Sequence, residues 1–251
     1  MTFKILFSNV GYAKGISGSL YDHVRYFHRH FYAGPAIQRQ VLAQLKQIID
    51  TETPDLCCFV EMDSGSFQSG GLNQIQELVD EDYSYHDISG KYGENSLMEK
   101  LPMHGGNSNG FLSRSEIPFK KLYFKYGTKR LIYRLELDDG AVLYFAHFSL
   151  KKKIRVRQFR EVQDLLAKED GEVILMADFN ILNGFSELKP LLVNTGLKLL
   201  NKEGEHTFTF HRRSETLDLC LSTRNISDCL DLKIIPQPFS DHAALLLEIH
   251  R

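Results

Sequence analysis

The stretch PDLCCFVE, residues 54–61, carries the pattern that decides the fold. Every residue from Leu56 to Val60 is apolar. A strand that is apolar on both faces is typical of a sheet that is covered on both sides. The run ends at Glu61, and a carboxylate there is costly to bury unless it is paired with a cation or bound to a metal. The stretch therefore predicts a buried strand with a functional group at its end.

Helical periodicity alternates with strand-like runs around this stretch. Pro35 is expected to open one helix, and two more are predicted over residues 72–79 and 154–166. In the last of these Val156 would face inward. The basic residues on its outer face would be Lys152, Arg155 and Arg160. A basic helix face of this kind is either solvated or steers a polyanion toward a nearby site.

The remaining β-branched and aromatic runs predict strands. They cover residues 4–8, 110–113, 121–124, 131–137, 142–148, 173–177, 207–210, 217–221 and 243–249. Asp138, Asp139 and Gly140 are expected to form a hairpin turn, and residues 90–109 a long loop beside a site. Because no low-complexity linker divides the chain, residues 1–251 are expected to form a single α/β domain with two packed sheets and outer helices.

Composition limits the classes of function. The 251 residues are 43% hydrophobic and carry a net charge of −2. No global positive field draws such a chain onto nucleic acid, so any polyanion binding must be local. No apolar run reaches the roughly 18 to 20 residues of a membrane span, and the amino-terminal one is too short for a secretory signal. We therefore predict a cytoplasmic protein without membrane insertion, obligate protein partner or disulfide framework.

Polar residues follow several of the apolar strands. They are Asn9, Glu61, His147, Asp178 and Asn180. Ligands gather beyond the carboxyl ends of strands in α/β sheets, where the connecting loops leave a crevice. Asn9 alone would also suit a turn, and His147 alone would suit a core histidine bonded to a carbonyl. Asp178 and Asn180 flank Phe179, so both would face one side in an extended segment.

A carboxylate and a histidine near the end of the chain form a predicted pair. Asp218 lies within the strand-like run LDLCL, residues 217–221, where an acid needs a partner. His242 of the segment SDH is the candidate, because a carboxylate bound to one imidazole nitrogen favours the protonated ring. Adjacent side chains diverge, so Asp241 could hold a metal while His242 faces a reacting phosphate.

These motifs resemble the endonuclease/exonuclease/phosphatase superfamily in their order and approximate spacing. The resemblance spans residues 3–250 and is carried by Asn9, PDLCCFVE, GGNSNGFLSR, His147, ADFN, LDLCL and SDH. It implies a deoxyribonuclease I-like fold, which is a four-layered α/β sandwich of two packed mixed sheets flanked by helices. It also implies hydrolysis of phosphoester bonds that depends on a divalent metal.

The resemblance further assigns roles to individual residues. The residues expected to hold Mg²⁺, or Mn²⁺ in its place, are Asn9, Glu61 and Asp241. The residues expected to act on water and on the phosphate are His147, Asp178, Asn180, Asp218 and His242. Asn107 is similar to the phosphate-contacting asparagine of the phosphatase and nuclease branches. Apurinic endonucleases carry a tyrosine near this position, so its absence here disfavours cleavage at abasic sites.

The expected activity is a phosphodiesterase acting on nucleic acid or on a nucleotide-like compound. One alternative is a phosphatase or phosphodiesterase of inositol phosphates or phospholipid head groups, and another is a non-catalytic binding module. The stretch YDHVRYFHRHFY, residues 21–32, suits nucleobase stacking but also a solvated helix with its aromatic rings packed inward. The sequence leaves open the substrate, monoester or diester preference, cleavage polarity, metal count and oligomeric state.

Overall fold

The computed structural model describes residues 2–93, 96–223 and 229–250. Its α-helices are α1 (Leu20–Arg25), α2 (Pro35–Glu52), α3 (Lys152–Leu166) and α4 (Lys189–Thr195). Its strands up to the middle of the chain are β1 (Thr2–Asn9), β2 (Leu56–Asp63), β3 (Tyr85–Gly90), β4 (Asn107–Ser113), β5 (Phe119–Tyr123), β6 (Leu131–Glu136) and β7 (Val142–His147). The others are β8 (Val173–Asp178), β9 (Lys198–Leu199), β10 (Phe208–Phe210), β11 (Arg213–Glu215), β12 (Asp218–Ser222), β13 (Leu230–Ile235) and β14 (Ala244–His250).

Twelve of the strands form two six-stranded mixed sheets. Sheet one has the order β13-β14-β1-β2-β4-β3, and sheet two has the order β5-β6-β7-β8-β12-β9. Each sheet contains one parallel pair, β1 with β2 and β7 with β8, and its other pairs are antiparallel. The predicted turn at residues 138–140 connects the antiparallel strands β6 and β7. The strands β10 and β11 form a separate hairpin.

Three apolar clusters hold these elements in four layers. Alternate residues of β1 point to opposite faces of sheet one, so Phe7 enters the core between the sheets while Leu6 packs under α2. Phe145 of sheet two lies in the core between the sheets, whereas Tyr144 packs under α3 on the outer side. This arrangement confirms the predicted four-layered sandwich. Within the described ranges, no helix is both long and apolar enough to cross a membrane.

The strand ends that matter for function meet at one end of the sandwich. The parallel pairs β1–β2 and β7–β8 run toward that end, and Asn9, His147 and Asp178 are the last residues of their strands. The antiparallel strands β12 and β14 start there, at Asp218 and just after His242. The topology therefore brings side chains that are far apart in sequence to a shared edge.

Some predicted elements are wrong. Residues 72–79 make turns instead of a helix, because Gln74 N bonds Asp63 O at 2.9 Å and Asn73 bridges Ser64, so the backbone pairs with the β2 segment. The half-exposed edge strand β3 was not predicted, because its mixed polar sequence lacks an apolar run. The strand predicted at residues 207–210 does not complete a main sheet, since β10 pairs with β11.

The helix α3 buries Phe159, Val162 and Leu166, but two of its residues differ from their predicted exposure. Arg155, predicted on the outer face, is 1% exposed, while Val156, predicted to face inward, is 37% exposed. The Arg155 guanidinium donates to the carbonyl oxygens of Ser149 and Leu150 and pairs with Glu187. These three partners stabilise a buried cation that the periodicity alone had placed in solvent.

Candidate active site

A row of three polar residues crosses sheet two at its functional edge. His147 and Asp218 are the register neighbours of Asp178 on its two sides. The three residues are at most 1% exposed. His147 Nε2 lies 3.0 Å from Asp178 Oδ2, and Asn9 Nδ2 donates to the same oxygen at 3.1 Å. Sheet register and one bond from sheet one thus fix the position of the Asp178 carboxylate.

The predicted histidine–carboxylate pair is present and buried. His242 Nδ1 lies 2.6 Å from Asp218 Oδ2, and the backbone N–H of Asp218 donates to Thr207 Oγ1 at 2.9 Å. Burial alone would lower the pKa of His242, but the negative charges of Asp218, Asp178 and Asp241 raise it to about 10. His242 is therefore a protonated donor at neutral pH.

His147 is electrostatically the opposite of His242. Burial and the adjacent Lys129 ammonium lower the pKa of His147, and the attraction of Asp178 and Glu61 does not compensate. Its imidazole is therefore neutral near pH 7. Two histidines whose environments push their pKa values apart are suited to different roles at one site.

Glu61 is aimed into the site by a local distortion of β2. The register of β2 against β4 shifts between Phe59 and Met62, and Glu61 has a positive φ of 56°. Such bulges re-aim side chains next to active sites. The strand continues to Asp63, so Glu61 lies within a distorted strand instead of closing it as predicted.

The Glu61 carboxylate is charged and accepts no side-chain hydrogen bond from the described residues. Its Oε1 lies 3.6 Å from Lys129 Nζ and 3.7 Å from His147 Nδ1. Burial would raise its pKa, but the neighbouring Lys129, His147 and Lys91 side chains lower it to about 2. A half-buried, ionised carboxylate without side-chain hydrogen bonds suits a hard divalent cation.

The predicted metal ligands fit a cation by their chemistry. Burial raises the pKa of Asp241, and the negative charge of Glu61 raises it further. Asn9 Oδ1 accepts from Gly11 N at 3.1 Å and keeps a second lone pair. A second candidate cluster comprises Asp178, Asp218 and His242, whose ligand atoms lie within 4.8 Å of one another. The hydrogen bond between His242 and Asp218 makes that cluster a proton-sharing pair, so Glu61 and Asp241 are the better ligand set.

Asp178 and Asn180 are brought together by a left-handed turn instead of an extended segment. Asn180 has a φ of 52°, its N–H donates to Asp178 Oδ1 at 3.1 Å, and its Nδ2 donates to Phe148 O at 3.0 Å. Burial would raise the pKa of Asp178, but His147, His242 and Lys129 hold it well below its ordinary value. Asp178 therefore stays ionised and can orient a water molecule.

Asn107 is buried at the start of β4, where it pairs in register with Asp63. Its Nδ2 donates to Tyr92 Oη at 2.9 Å, while its buried Oδ1 has no hydrogen-bond partner in the described ranges. The asparagine that contacts the Glu61 backbone is Asn109, whose Oδ1 accepts from Glu61 N at 3.4 Å. The role expected for Asn107 thus stays a prediction.

The sequence did not identify four residues of the site. They are Tyr12, Lys14, Lys91 and Lys129. Lys129 contacts His147 Nε2, and Lys91 contacts the hydroxyl of Tyr12. The chain has 30 lysines and arginines, and nothing in the sequence pattern distinguishes these three lysines from the others. The one available signal is that Lys91 lies in the loop predicted over residues 90–109 beside a site.

A groove and an aromatic surface border the site. The groove has a volume of about 480 Å³ and is lined in part by Asp241, His242, Thr209 and His211. The stretch at residues 21–32 lies nearby, since His23 packs on Phe210 with ring centroids 4.8 Å apart. Four aromatic side chains of this stretch are exposed, namely Tyr21, Phe27, Phe31 and Tyr32. The alternative of a helix with its aromatic rings packed inward is therefore wrong.

Comparisons with known proteins agree with this arrangement. The sequence profile described as "Endonuclease/Exonuclease/phosphatase family" matches residues 31–242. None of the curated proteins matches the chain. A humanized TDP2 from D. rerio is similar in structure, with a TM-score of 0.67, 14% identity, and coverage of 100% of this chain and 99% of that one.

Two further solved structures share the fold. The human Nocturnin catalytic domain has a TM-score of 0.61 and 15% identity, covering 98% of this chain and 92% of that one. An endonuclease/exonuclease/phosphatase protein from Beutenbergia cavernae has a TM-score of 0.66 and 15% identity, covering 99% of this chain and 71% of that one. These likenesses support the deoxyribonuclease I-like architecture predicted from the sequence.

Proposed function

The chain belongs to the endonuclease/exonuclease/phosphatase family and is a metal-dependent phosphoesterase, and from this premise we propose that it is a Mg²⁺-dependent phosphodiesterase of nucleic acid or nucleotide-like substrates. Mn²⁺ could replace Mg²⁺ on the same oxygen ligands. A cytoplasmic location and residues 1–251 as a single catalytic domain belong to the same proposal.

The observation that carries the proposal is that a protonated imidazole and an ionised carboxylate converge at one end of the two sheets. The protonated His242–Asp218 pair comes from β12 and the β14 start, while the ionised Glu61 comes from β2. Asp178 contacts groups from both sheets through Asn9 and His147. A purely structural cluster would not need a protonated imidazole and a carboxylate without hydrogen bonds in the same place.

The residues divide the chemistry among them. Glu61 and Asp241, with Asn9, would hold the cation, which supplies charge neutralisation for a phosphate oxygen. Asp178 orients the attacking water, since its low pKa favours positioning over proton removal. His242 donates a hydrogen bond to the phosphate or the leaving oxygen, held by Asp218. The neutral imidazole of His147 and the side-chain amide of Asn180 provide further contacts to the phosphate.

The surface at residues 21–32 supports a nucleic-acid-like substrate. Phe27 is 60% exposed, and Arg25 and Arg29 lie on the same segment. Exposed rings between cationic groups bind single-stranded nucleic acid by stacking and by contacts to the backbone phosphates. Asn107 remains our candidate for an additional phosphate contact.

A phosphorylated lipid or inositol head group is the second candidate, and one observation favours it. Large aliphatic side chains are also exposed, including Val24 of the same segment at 72% and Leu97 at 79%. Aliphatic groups of this kind stack poorly on bases and suit an apolar surface. A non-catalytic binding module is disfavoured, because such a protein has no use for the protonated His242.

A substrate panel tests the proposal. The purified protein is incubated with single-stranded DNA, duplex DNA, RNA, cyclic dinucleotides, inositol phosphates and sphingomyelin, each with Mg²⁺, with Mn²⁺ and with chelator. Metal-dependent cleavage of a nucleic acid or nucleotide, abolished by Asp178→Ala, supports it. Cleavage of the lipid or inositol compounds alone favours the second candidate. Absence of turnover on the panel and on bis-p-nitrophenyl phosphate contradicts both.

A further inference from the structure

Three cationic side chains lie around Glu61, and among the described residues only Lys129 forms an ion pair with a carboxylate, although Asp63 also attracts Lys14 and Lys91. Lys129 is within ion-pair distance of Glu61, whereas Lys14 and Lys91 form no ion pair with any carboxylate in the described ranges. Glu61 attracts all three, and Lys14 and Lys129 both lower the pKa of Lys91 through repulsion. We call Lys14, Lys91 and Lys129 the lysine cradle.

Lys91 is the most unusual member of the lysine cradle. It is 6% exposed, and the hydroxyl of Tyr12 is the only hydrogen-bond partner of its ammonium group in the described part of the chain. Burial lowers its pKa to about 8, although Glu61 opposes this effect. A buried ammonium without a carboxylate partner is unfavourable unless an anion binds to it.

A strained turn places Tyr12 between two of the lysines. Gly11, Tyr12 and Ala13 all have positive φ angles, of 56°, 56° and 51°. The turn is held by Gln74 Nε2, which donates to Tyr12 O at 2.9 Å. The Tyr12 ring centroid lies 4.9 Å from Lys14 Nζ and 4.8 Å from Lys91 Nζ. Backbone strain of this kind persists at functional sites when the surrounding contacts enforce it.

The backbones of Lys91 and Lys129 are fixed where the two sheets meet. Arg130 N donates to Lys91 O at 2.8 Å, which links the segment after β3 in sheet one to the segment before β6 in sheet two. Gln158 Nε2 of α3 donates to Lys129 O at 2.8 Å. The ammonium groups therefore project from an anchored backbone, and a preorganised cluster of like charges is suited to binding an anion.

We propose that the lysine cradle, with Tyr12, binds a phosphate dianion of the substrate. The dianion is either the scissile group of a phosphomonoester or a terminal phosphate next to a scissile diester. A dianion offers three non-bridging oxygens to three ammonium groups, whereas a diester offers only two. The inference rests on the proposed phosphoesterase function for its place beside Glu61, but its first test needs no turnover.

Calorimetric titration with inorganic phosphate tests the cradle, using the full chain both in chelator and with Mg²⁺. Lys91→Met is expected to weaken phosphate binding by about 10- to 100-fold, which is the range for losing one charge-assisted hydrogen bond. Lys91→Arg is expected to retain most of the affinity, and the exposed-site control Lys168→Met all of it. If Lys91→Met does not fold, Lys14→Met gives the same test.

Unchanged phosphate binding by Lys91→Met, or no phosphate binding by the wild type in either condition, overturns the inference. Kinetics then distinguish the sources of the dianion. Lys91→Met should raise KM about 10-fold or more for p-nitrophenyl phosphate if the scissile group is bound. If a terminal phosphate is bound instead, Lys91→Met should raise the KM for a 5′-phosphorylated dinucleotide but not for the same dinucleotide without the phosphate.

An equal rise for bis-p-nitrophenyl phosphate would contradict selection of a dianion. Absence of turnover on every compound would contradict the proposed function, while the phosphate titration would still decide the fate of the lysine cradle.

Discussion

Replacing Arg155 with methionine is expected to destabilise the fold by about 3–5 kcal/mol, the usual range for breaking a buried ion pair by removing one partner. Its Nη2 lies 2.5 Å from Glu187 Oε2, and its Nη1 donates to Ser149 O at 2.8 Å and to Leu150 O at 3.0 Å. The replacement leaves a buried carboxylate without its cation and two carbonyl groups without their donor. Methionine fills much of the volume, so the loss is electrostatic rather than steric.

The same pair connects two loops of the active site, so activity should fall as well. Ser149 and Leu150 come just after His147, and Glu187 lies in the segment after Asn180. The Glu187 carboxylate also accepts from Asn183 N at 3.1 Å. Losing Arg155 therefore frees both loops, and we expect kcat to decrease more than KM increases.

Urea unfolding measures the stability change, with Arg160→Met on the exposed face of α3 as the matched control. The control should change the free energy of unfolding by less than about 0.5 kcal/mol. The double variant Arg155→Met/Glu187→Gln should lose less than the sum of the two single variants, by about 0.5–3 kcal/mol. A loss for Arg155→Met no larger than for the control would refute the reasoning.

The pair should also show in the pH dependence of stability. Burial would raise the pKa of Glu187, but Arg155 and the amides of Asn183 hold it below the ordinary value of 4.5. A lowered folded-state pKa stabilises the protein above the unfolded pKa, and this stabilisation is lost as the pH falls through the folded value. The difference between wild type and Glu187→Gln should therefore shrink below about pH 4.5.

Other predictions concern the site and its surface. Asp218→Asn should lower kcat by about 10²- to 10³-fold, because His242 loses the carboxylate that keeps it protonated; steady-state kinetics at a temperature where circular dichroism shows the variant to be fully folded would check this. Glu61→Gln should abolish the rise in Tm that Mg²⁺ gives the wild type, and an equal rise in the variant would exclude Glu61 as a ligand. Phe27→Ser should weaken single-stranded DNA binding by about 1–3 kcal/mol in a fluorescence titration, with no change in turnover of bis-p-nitrophenyl phosphate. Glu169→Gln should destabilise the protein less at about pH 3 than at about pH 7, since Arg134 lowers the pKa of Glu169 and its stabilising effect decreases as the pH falls through the folded-state value; thermal unfolding at the two pH values measures this.

Sequence reasoning located the residues of the site better than their conformations. Asp178, Asp218 and His242 were expected to act together, and the structure places them within 4.8 Å. The structure also shows two features that periodicity does not predict, which are the bulge that reorients Glu61 and the left-handed turn at Asn180. Both are local backbone states that depend on neighbouring strands, so no alternation of residue types encodes them.

The sequence by itself determined the layers, because apolar runs and amphipathic helices can bury their surface only as sheets covered by helices. It also determined which strand ends carry carboxylates and imidazoles. Only the tertiary structure decided the charge states and the cationic half of the site. Lys91 and Lys129 come from separate loop segments, one after β3 and one before β6, and what distinguishes them from surface lysines is their position next to Glu61, a property of the assembled sheets.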